Sequence, residues 1–472
     1  MTPSADTAAA GTIALGPAAP LPNAARLPAA DLPPVDICQI IESQRLNSFV
    51  VRLVVISWLV TFFDGFDLNV IAFAAPYLRS RFSLDQAALG AVFASGSAGA
   101  LLGGLLFGFI GDRVGRRRAI VVCVGLFGVF TLLLAAADRT SELLLTRFVG
   151  GIALGGALPL IWALSIEYVP TRYRATVVTL IMLGYGLGVS ISGPLSIALI
   201  PRYGWQSVFI FGGIASLGAA ALVWHRLPES LRFLAHRGDD PERIARIVRR
   251  LVPDRRFAPS QLVFAPAPVV RSRGPAVLFD GPLRYITPLL WLAFAASSIT
   301  MYFFVTWGPI VFEQMGLSRS SAAWSSSFNA LVGATGAVTL MRFTDRLGPA
   351  SLAVMPILAV PLLLTIGFTH VTPTAFMAMT ALVYLLLGGS HYGIQSILGV
   401  YYPTGERARG AGWGASIGKV GSVAAPLLGT WLLASPVSRS PFVALAAFPA
   451  VFAIAVFAIG MIARRGGLQA TR

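Results

Sequence analysis

Gly108-Phe109-Ile110-Gly111-Asp112-Arg113-Val114-Gly115-Arg116-Arg117-Arg118 is a short, densely charged knot between two long apolar runs. A fragment of it returns as Thr344-Asp345-Arg346-Leu347-Gly348, at a separation of 345 − 112 = 233 residues. Pro170-Thr171 with Arg174 recurs at that offset as Pro403-Thr404 with Arg407, and Gly155-Gly156 as Gly388-Gly389. One offset at three places identifies a tandem duplication, the first feature to seek in a chain. Parallel repeats in a polytopic membrane protein point to a transporter built from two equivalent halves.

The 472 residues are 56% hydrophobic and 12% charged, against about 25% charged in a soluble domain. The composition is that of a membrane protein. The formal net charge of +16 is no sign of nucleic acid, because the arginines sit in loops between apolar spans, as the positive-inside rule expects. Cys38 and Cys123, the only cysteines, form no disulfide framework or metal site.

Residues 1–34, rich in Ala and Pro, read as a disordered cytoplasmic tail without the charged start and apolar core of a secretory signal. Residues 35–49 read as a short amphipathic helix on the membrane surface. Twelve apolar segments follow, each near the roughly 20 residues that cross a bilayer core. They fall in two sets of six, making an all-α membrane protein with halves at 35–226 and 285–463. Residues 464–472 form a second tail. With the N-terminus inside, the short inner loops and this tail hold thirteen arginines and the outer loops six. Both termini are therefore expected in the cytoplasm. The long connection, 227–284, is also inside. Within it, Glu242 to Leu251 places Ile244, Ile247, Val248 and Leu251 at helical spacing, which predicts an amphipathic helix lying on the anionic inner leaflet.

Charges inside spans are the informative ones, since each costs about 2.5–3.5 kcal/mol on insertion scales. Asp64 and Asp67 lie in span 1, three residues apart and so on one helix face. Two dry carboxylates this close titrate as a coupled pair, which suits proton binding and release; the plainer alternative is that both pair with structural arginines. Lys419, in span 11, is the single lysine of a chain with thirty-five arginines. A compact ammonium at mid-membrane suits a carboxylate substrate or an internal Asp. Arg147 lies about a turn and a half into span 4; it either couples to the Asp pair or braces its glycine-rich helix.

Tyr185, Tyr302, His391, Gln395 and Trp413 are candidates to line a substrate cavity. His391 is either a hydrogen-bonded core residue or a ligand or proton contact. Trp307 reads as an interfacial anchor. Asp112, Glu167, Arg172, Arg174, Arg407 and Arg409 cluster at the inner ends of spans. With Arg113, Arg116, Asp345 and Arg346 of the repeated loops, they form an expected inner charge lock; the bland alternative is that these charges only set topology. No Ser-His-Asp arrangement, metal-ligand spacing or phosphate loop is evident, so no enzyme activity and no cofactor are expected.

Gly108-x-x-x-Asp112-Arg113-x-Gly115-Arg116-Arg117 resembles the loop 2–3 signature of the major facilitator superfamily. Within that superfamily the chain is similar to the aromatic acid:proton symporters. Asp64-Gly65-Phe66-Asp67 resembles their span 1 motif. Arg147 with its glycines, Pro159 and Glu167-Tyr168-Val169-Pro170 resemble span 4, and Leu227-Pro228-Glu229-Ser230 the start of the central loop. Gly393-Ile394-Gln395, Tyr402-Pro403-Thr404, Gly412-Trp413 and Gly418-Lys419-Val420-Gly421 resemble spans 10 and 11. The family usually has Arg at the position of Lys419, and often Asn at that of Leu160. The resemblance implies that Asp64 and Asp67 serve coupling, and that Asp112 and Gly115 serve the conformational switch.

The expected function is a proton-coupled importer of an aromatic carboxylate (benzoate, hydroxybenzoate or protocatechuate type) in the inner membrane, with protons and membrane lipid as its other partners, working as a monomer. Two rivals stand beside it. One is a proton-driven exporter of organic acids or drugs, although Val189 replaces the first glycine of the exporters' Gly-x-x-x-Gly-Pro motif before Gly193-Pro194. The other is a transporter-like receptor.

Overall fold

The computed structural model describes residues 35–465 apart from 239–240, 254–256, 258, 265–274, 348, 399–400, 403–405 and 435–440. Of the expected terminal tails, residues 1–34 and 466–472 lie outside the described residues, as do the side chains of Asp345 and Arg346, while Arg464 and Arg465 continue the last helix. The first half comprises α1 (Ile37–Ser43), α2 (Ser48–Phe82), α3 (Gln86–Val114), α4 (Arg116–Ala135), α5 (Thr140–Glu167), α6 (Thr171–Tyr203) and α7 (Gln206–Arg226). The connection carries α8 (Leu231–Arg237) and α9 (Pro241–Leu251). The second half comprises α10 (Leu283–Gln314), α11 (Arg319–Leu347), α12 (Val354–Phe368), α13 (Pro373–Ile397), α14 (Arg407–Ala434), α15 (Pro441–Leu445) and α16 (Ala447–Arg465). Among the described residues, eleven helical segments are long and apolar enough to cross a membrane. The 29-residue α11, with Ser325, Ser326, Ser327 and Asn329 in it, is not one of them.

The helix boundaries follow from capping chemistry. Asn47 accepts from the Phe49 and Val50 N–H groups at 3.1 Å, and Asp85 from Ala88 at 2.7 Å, each satisfying orphan donors of a first turn. Gly115 separates α3 from α4 at φ +105°, a conformation that costs an L side chain dearly. The Glu229 carboxylate fills the space a Cβ there would need.

The duplication is visible in the packing. Glycines let backbones touch where helices cross, and the crossings repeat at the same offset. A Cβ on Gly103 of α3 would collide with the Ile152 carbonyl of α5, and one on Gly336 of α11 with the Leu385 carbonyl of α13; 336 − 103 and 385 − 152 are both 233. Gly188 of α6 abuts the Phe62 carbonyl of α2, and Gly421 of α14 the Ala295 carbonyl of α10, again 233 apart. Arg174 Nε donates to the Val169 carbonyl at 3.2 Å, and Arg407 Nε to that of Tyr402 at 3.3 Å.

The halves meet through α3 with α14, α6 with α11, and α2 with α10. They close on one another toward the end of the bundle that holds Ser83. There Phe93 sets its edge on Trp307 at 5.3 Å, Arg319 lies over the Tyr77 ring at 5.0 Å, and Gly90 seats Thr430.

At the opposite end, α1, α8 and α9 form a collar on the first half. A two-residue parallel strand pair ties Val35–Asp36 (β1) to Leu262–Val263 (β2). Asn47 Nδ2 donates to the carbonyls of Arg250 and Leu251, and Gln44 Nε2 to that of Tyr168 at 2.7 Å. The apolar faces of α1 and α9 are buried in one cluster with Phe49, Val50 and Leu53. This corrects the lipid-surface reading of both segments: Ile244, Val248 and Leu251 face protein, not the leaflet, because the start of α2 and α8 offers the apolar partner.

Candidate functional site

The two intramembrane acids sit on one side of α2 but turn to different neighbours. Asp67 is 3% exposed and takes Arg147 Nη1 of α5 at 2.9 Å. The guanidinium passes over Gly96 of α3, where a Cβ would come within 2.9 Å of it. A cavity of about 30 Å³ adjoins the pair, bordered by Thr131, Thr146 and Gly151. Arg147 therefore both braces α5 and meets the Asp pair, through Asp67 alone. A paired, buried charge of this kind is costly to break and weakly stabilising as a whole.

Asp64, 6% exposed, has no ion-pair partner within 4.0 Å among the described residues. It lies close enough to Lys419, Tyr185 and Tyr302 to interact electrostatically with each. Gly65, beside it, lets α2 touch the Tyr185 backbone of α6. Lys419 reaches from α14 across to the first half and donates to the Ala100 carbonyl of α3 at 3.2 Å. Opposite, His391 Nδ1 is 3.1 Å from Ser297 Oγ. Around the imidazole stand Phe294 at 5.6 Å, Tyr392 at 5.8 Å and Tyr302 at 6.5 Å between ring centroids. The centre thus offers one unpaired carboxylate, one cation and a wall of rings, a combination suited to a flat anion.

Not every candidate joins this group. Gln395 lies one turn beyond His391 and is exposed. Trp413 is 50% exposed, shares a seven-residue stripe of α14 with exposed Val420 and Leu427, and packs on Trp291. Trp307 is 1% exposed, and its indole N–H donates to the Pro426 carbonyl at 3.1 Å. It is a core tie between α10 and α14, in place of the expected interfacial anchor.

At the collar end, Arg116 pairs with Glu167. Asp112, with a side chain 76% exposed, touches Arg116 only at 3.9 Å, and the Arg113 guanidinium stacks over Phe109 at 4.0 Å. Arg409 pairs with Glu406 at 2.6 Å. Glu42 accepts from the Thr171 N–H and hydroxyl at the start of α6. The Thr171 N–H holds its carboxyl below the usual carboxylate range.

Sequence reading missed Glu229 as a functional residue. It is 4% exposed; its carboxylate accepts from the Arg117 and Ser230 N–H groups at 3.0 and 2.9 Å, and its carbonyl from the Tyr168 hydroxyl. It caps α4 and links the connection to α5. An acid directly after an apolar span, in Leu227-Pro228-Glu229-Ser230, was the available signal.

The Major Facilitator Superfamily model matches residues 57–398 and 290–467. The chain belongs to the major facilitator superfamily. It is 31% identical to a gallate transporter of Pseudomonas putida, over 89% of this chain and 94% of that one. It is also 31% identical to the 4-hydroxybenzoate transporter PcaK of Pseudomonas aeruginosa, over 83% and 87%. These relatives place it among the aromatic acid transporters of the superfamily. Its fold matches a bacterial homolog of the human lysosomal transporter Spinster at TM-score 0.70 and 16% identity, over 89% of this chain and 99% of that one. It matches the xylose transporter XylE from E. coli at 0.67 and 17%, over 86% and 97%. The protein is a multi-span membrane transporter, not an enzyme.

Proposed function

We propose that the protein is a twelve-span inner-membrane carrier, with both termini cytoplasmic, that imports an aromatic carboxylate together with protons. In this orientation α11 is the eighth span, the Ser83 end faces outward and the halves are closed on that side. The observation that carries the reading is the unequal fate of two neighbouring acids. Asp67 is satisfied by Arg147, whereas Asp64 faces Lys419 without an ion pair. A carboxylate substrate meets the ammonium, its ring lies among Tyr185, Tyr302 and His391, and a proton on Asp64 removes the competing negative charge. Release of that proton inward restores the attraction between Asp64 and Lys419 and expels the anion. The halves rock about this central site. Relatives named for gallate and 4-hydroxybenzoate transport support an aromatic acid as cargo.

The test is uptake into proteoliposomes of labelled benzoate, 4-hydroxybenzoate, protocatechuate and gallate under an imposed pH gradient, acid outside. Accumulation of at least one acid, abolished by a protonophore, is expected. Accumulation driven only in the opposite direction would establish an exporter. Saturable binding with no transport would establish a receptor.

A further inference from the structure

The single lysine does not rest in a void. Its ammonium lies in a notch on α3, in the other half of the molecule, where the floor is the Ala100 carbonyl at 3.2 Å. The side of the notch is Gly104: a Cβ there would come within 2.5 Å of Lys419 Nζ. Behind it, Gly155 of α5 packs on Ala100 so closely that a Cβ would strike its carbonyl. That carbonyl therefore has little freedom to move. The notch is thus rigid, occupied by Lys419 of α14, and open because residue 104 lacks a side chain.

We propose that this notch is a parking place for Lys419, and that Gly104 is a positioning residue that sets how readily the ammonium is released to a substrate carboxylate. A backbone carbonyl is a neutral acceptor, weaker than a carboxylate. It holds the charge in the empty carrier, where an unpartnered ammonium is costly, yet yields it to an anion. Parking also ties α14 to α3, so substrate binding removes a cross-half contact as it forms its own. The proposal rests on the reading of Lys419 as the carboxylate's partner.

The experiment uses the full-length carrier in detergent or proteoliposomes, with equilibrium binding of 4-hydroxybenzoate and of its uncharged amide. Gly104→Ala crowds Lys419 out of the notch. The expected result is acid binding about three- to tenfold tighter, the range of one ordinary hydrogen bond, with amide binding unchanged. In a Lys419→Met background the same substitution is expected to have no effect on either compound. Gly104→Ser repeats the test should the alanine variant fail to insert. Weaker acid binding by Gly104→Ala, no change, an equal change for the amide, or an effect that persists without Lys419 would each overturn the notch. Lys419→Met with parental acid affinity would instead overturn the carboxylate-partner reading itself. Lost affinity in Lys419→Met alongside a silent Gly104→Ala would remove the notch alone.

Discussion

The same helix crossing is filled in two ways. In the first half, Asp67 of α2 and Arg147 of α5 pair across Gly96 of α3. At the offset of 233, the second half has Thr300, Thr380 and Asn329. There Asn329 Nδ2 lies 3.4 Å from Thr380 Oγ1, and Thr300 bonds its own helix at the Ala296 carbonyl. Glycine at one position of α3 admits a guanidinium; asparagine at the equivalent position of α11 fills the space with a neutral amide. Asp64 is likewise matched by Ser297, which meets His391, and Lys419 by Gly186. The backbone is symmetric and the chemistry is not. The intramembrane acids sit in one half and the lysine in the other, so charge attraction acts across the interface that must open and close.

The largest expected effect comes from breaking the ion pair that only the first half has. Arg147→Thr leaves Asp67 buried and unpaired, a change of about 3–5 kcal/mol for a buried pair. Thermal unfolding in detergent is expected to show a marked loss. Adding Asp67→Thr and Gly96→Asn, which copies the second half, is expected to recover most of the stability while proton-driven uptake stays lost. Recovery of uphill uptake in that triple variant would show that the pair is structural only.

The next effect tests the symmetry itself. Gly103→Ala and Gly336→Ala each put a methyl group against a carbonyl of the crossing helix. Overpacking of this kind costs about 1–3 kcal/mol. The two variants are expected to lose similar stability, and a loss confined to one would mean that the crossings are not equivalent in energy.

Two smaller effects concern the collar end. Asp112→Asn is expected to slow transport while leaving thermal stability unchanged, since the side chain is exposed and only weakly paired. Unchanged transport rates would restrict it to setting topology. Glu42 contributes least. Its carboxyl is held below its ordinary value of 4.5, so its contribution is present above that pH and fades as the pH falls below it. Glu42→Gln is expected to lower stability slightly at neutral pH and to flatten the decline below pH 4.5, read by unfolding scans across pH.

The architecture was legible because duplication repeats residues, and repeated residues show a register without any knowledge of contacts. The offset read from Asp112 and Asp345 holds for the glycines at both kinds of crossing. The charged core was legible because a charge in an apolar span is costly enough to demand a partner. The rest was not, for identifiable reasons. Helical spacing shows that Ile244, Val248 and Leu251 form an apolar face, but not whether lipid or protein covers it. Three residues of separation put Asp64 and Asp67 on one side of α2, but about 60° of turn sends them to different partners. Trp413 and Trp307 look alike in sequence, yet one lies on an exposed stripe and the other in the core. Glu229 is marked in the sequence as an acid just beyond an apolar span, but the backbone N–H groups it meets are not.

On the proposed mechanism, a substrate carboxylate takes Lys419 from the first half. The most direct test of this exchange is equilibrium binding of 4-hydroxybenzoate and its amide to the parent and to Lys419→Ala. The acid is expected to lose at least about tenfold in affinity, the equivalent of roughly 1.4 kcal/mol, while the amide binds both proteins equally weakly. Parental affinity of Lys419→Ala for the acid would contradict it.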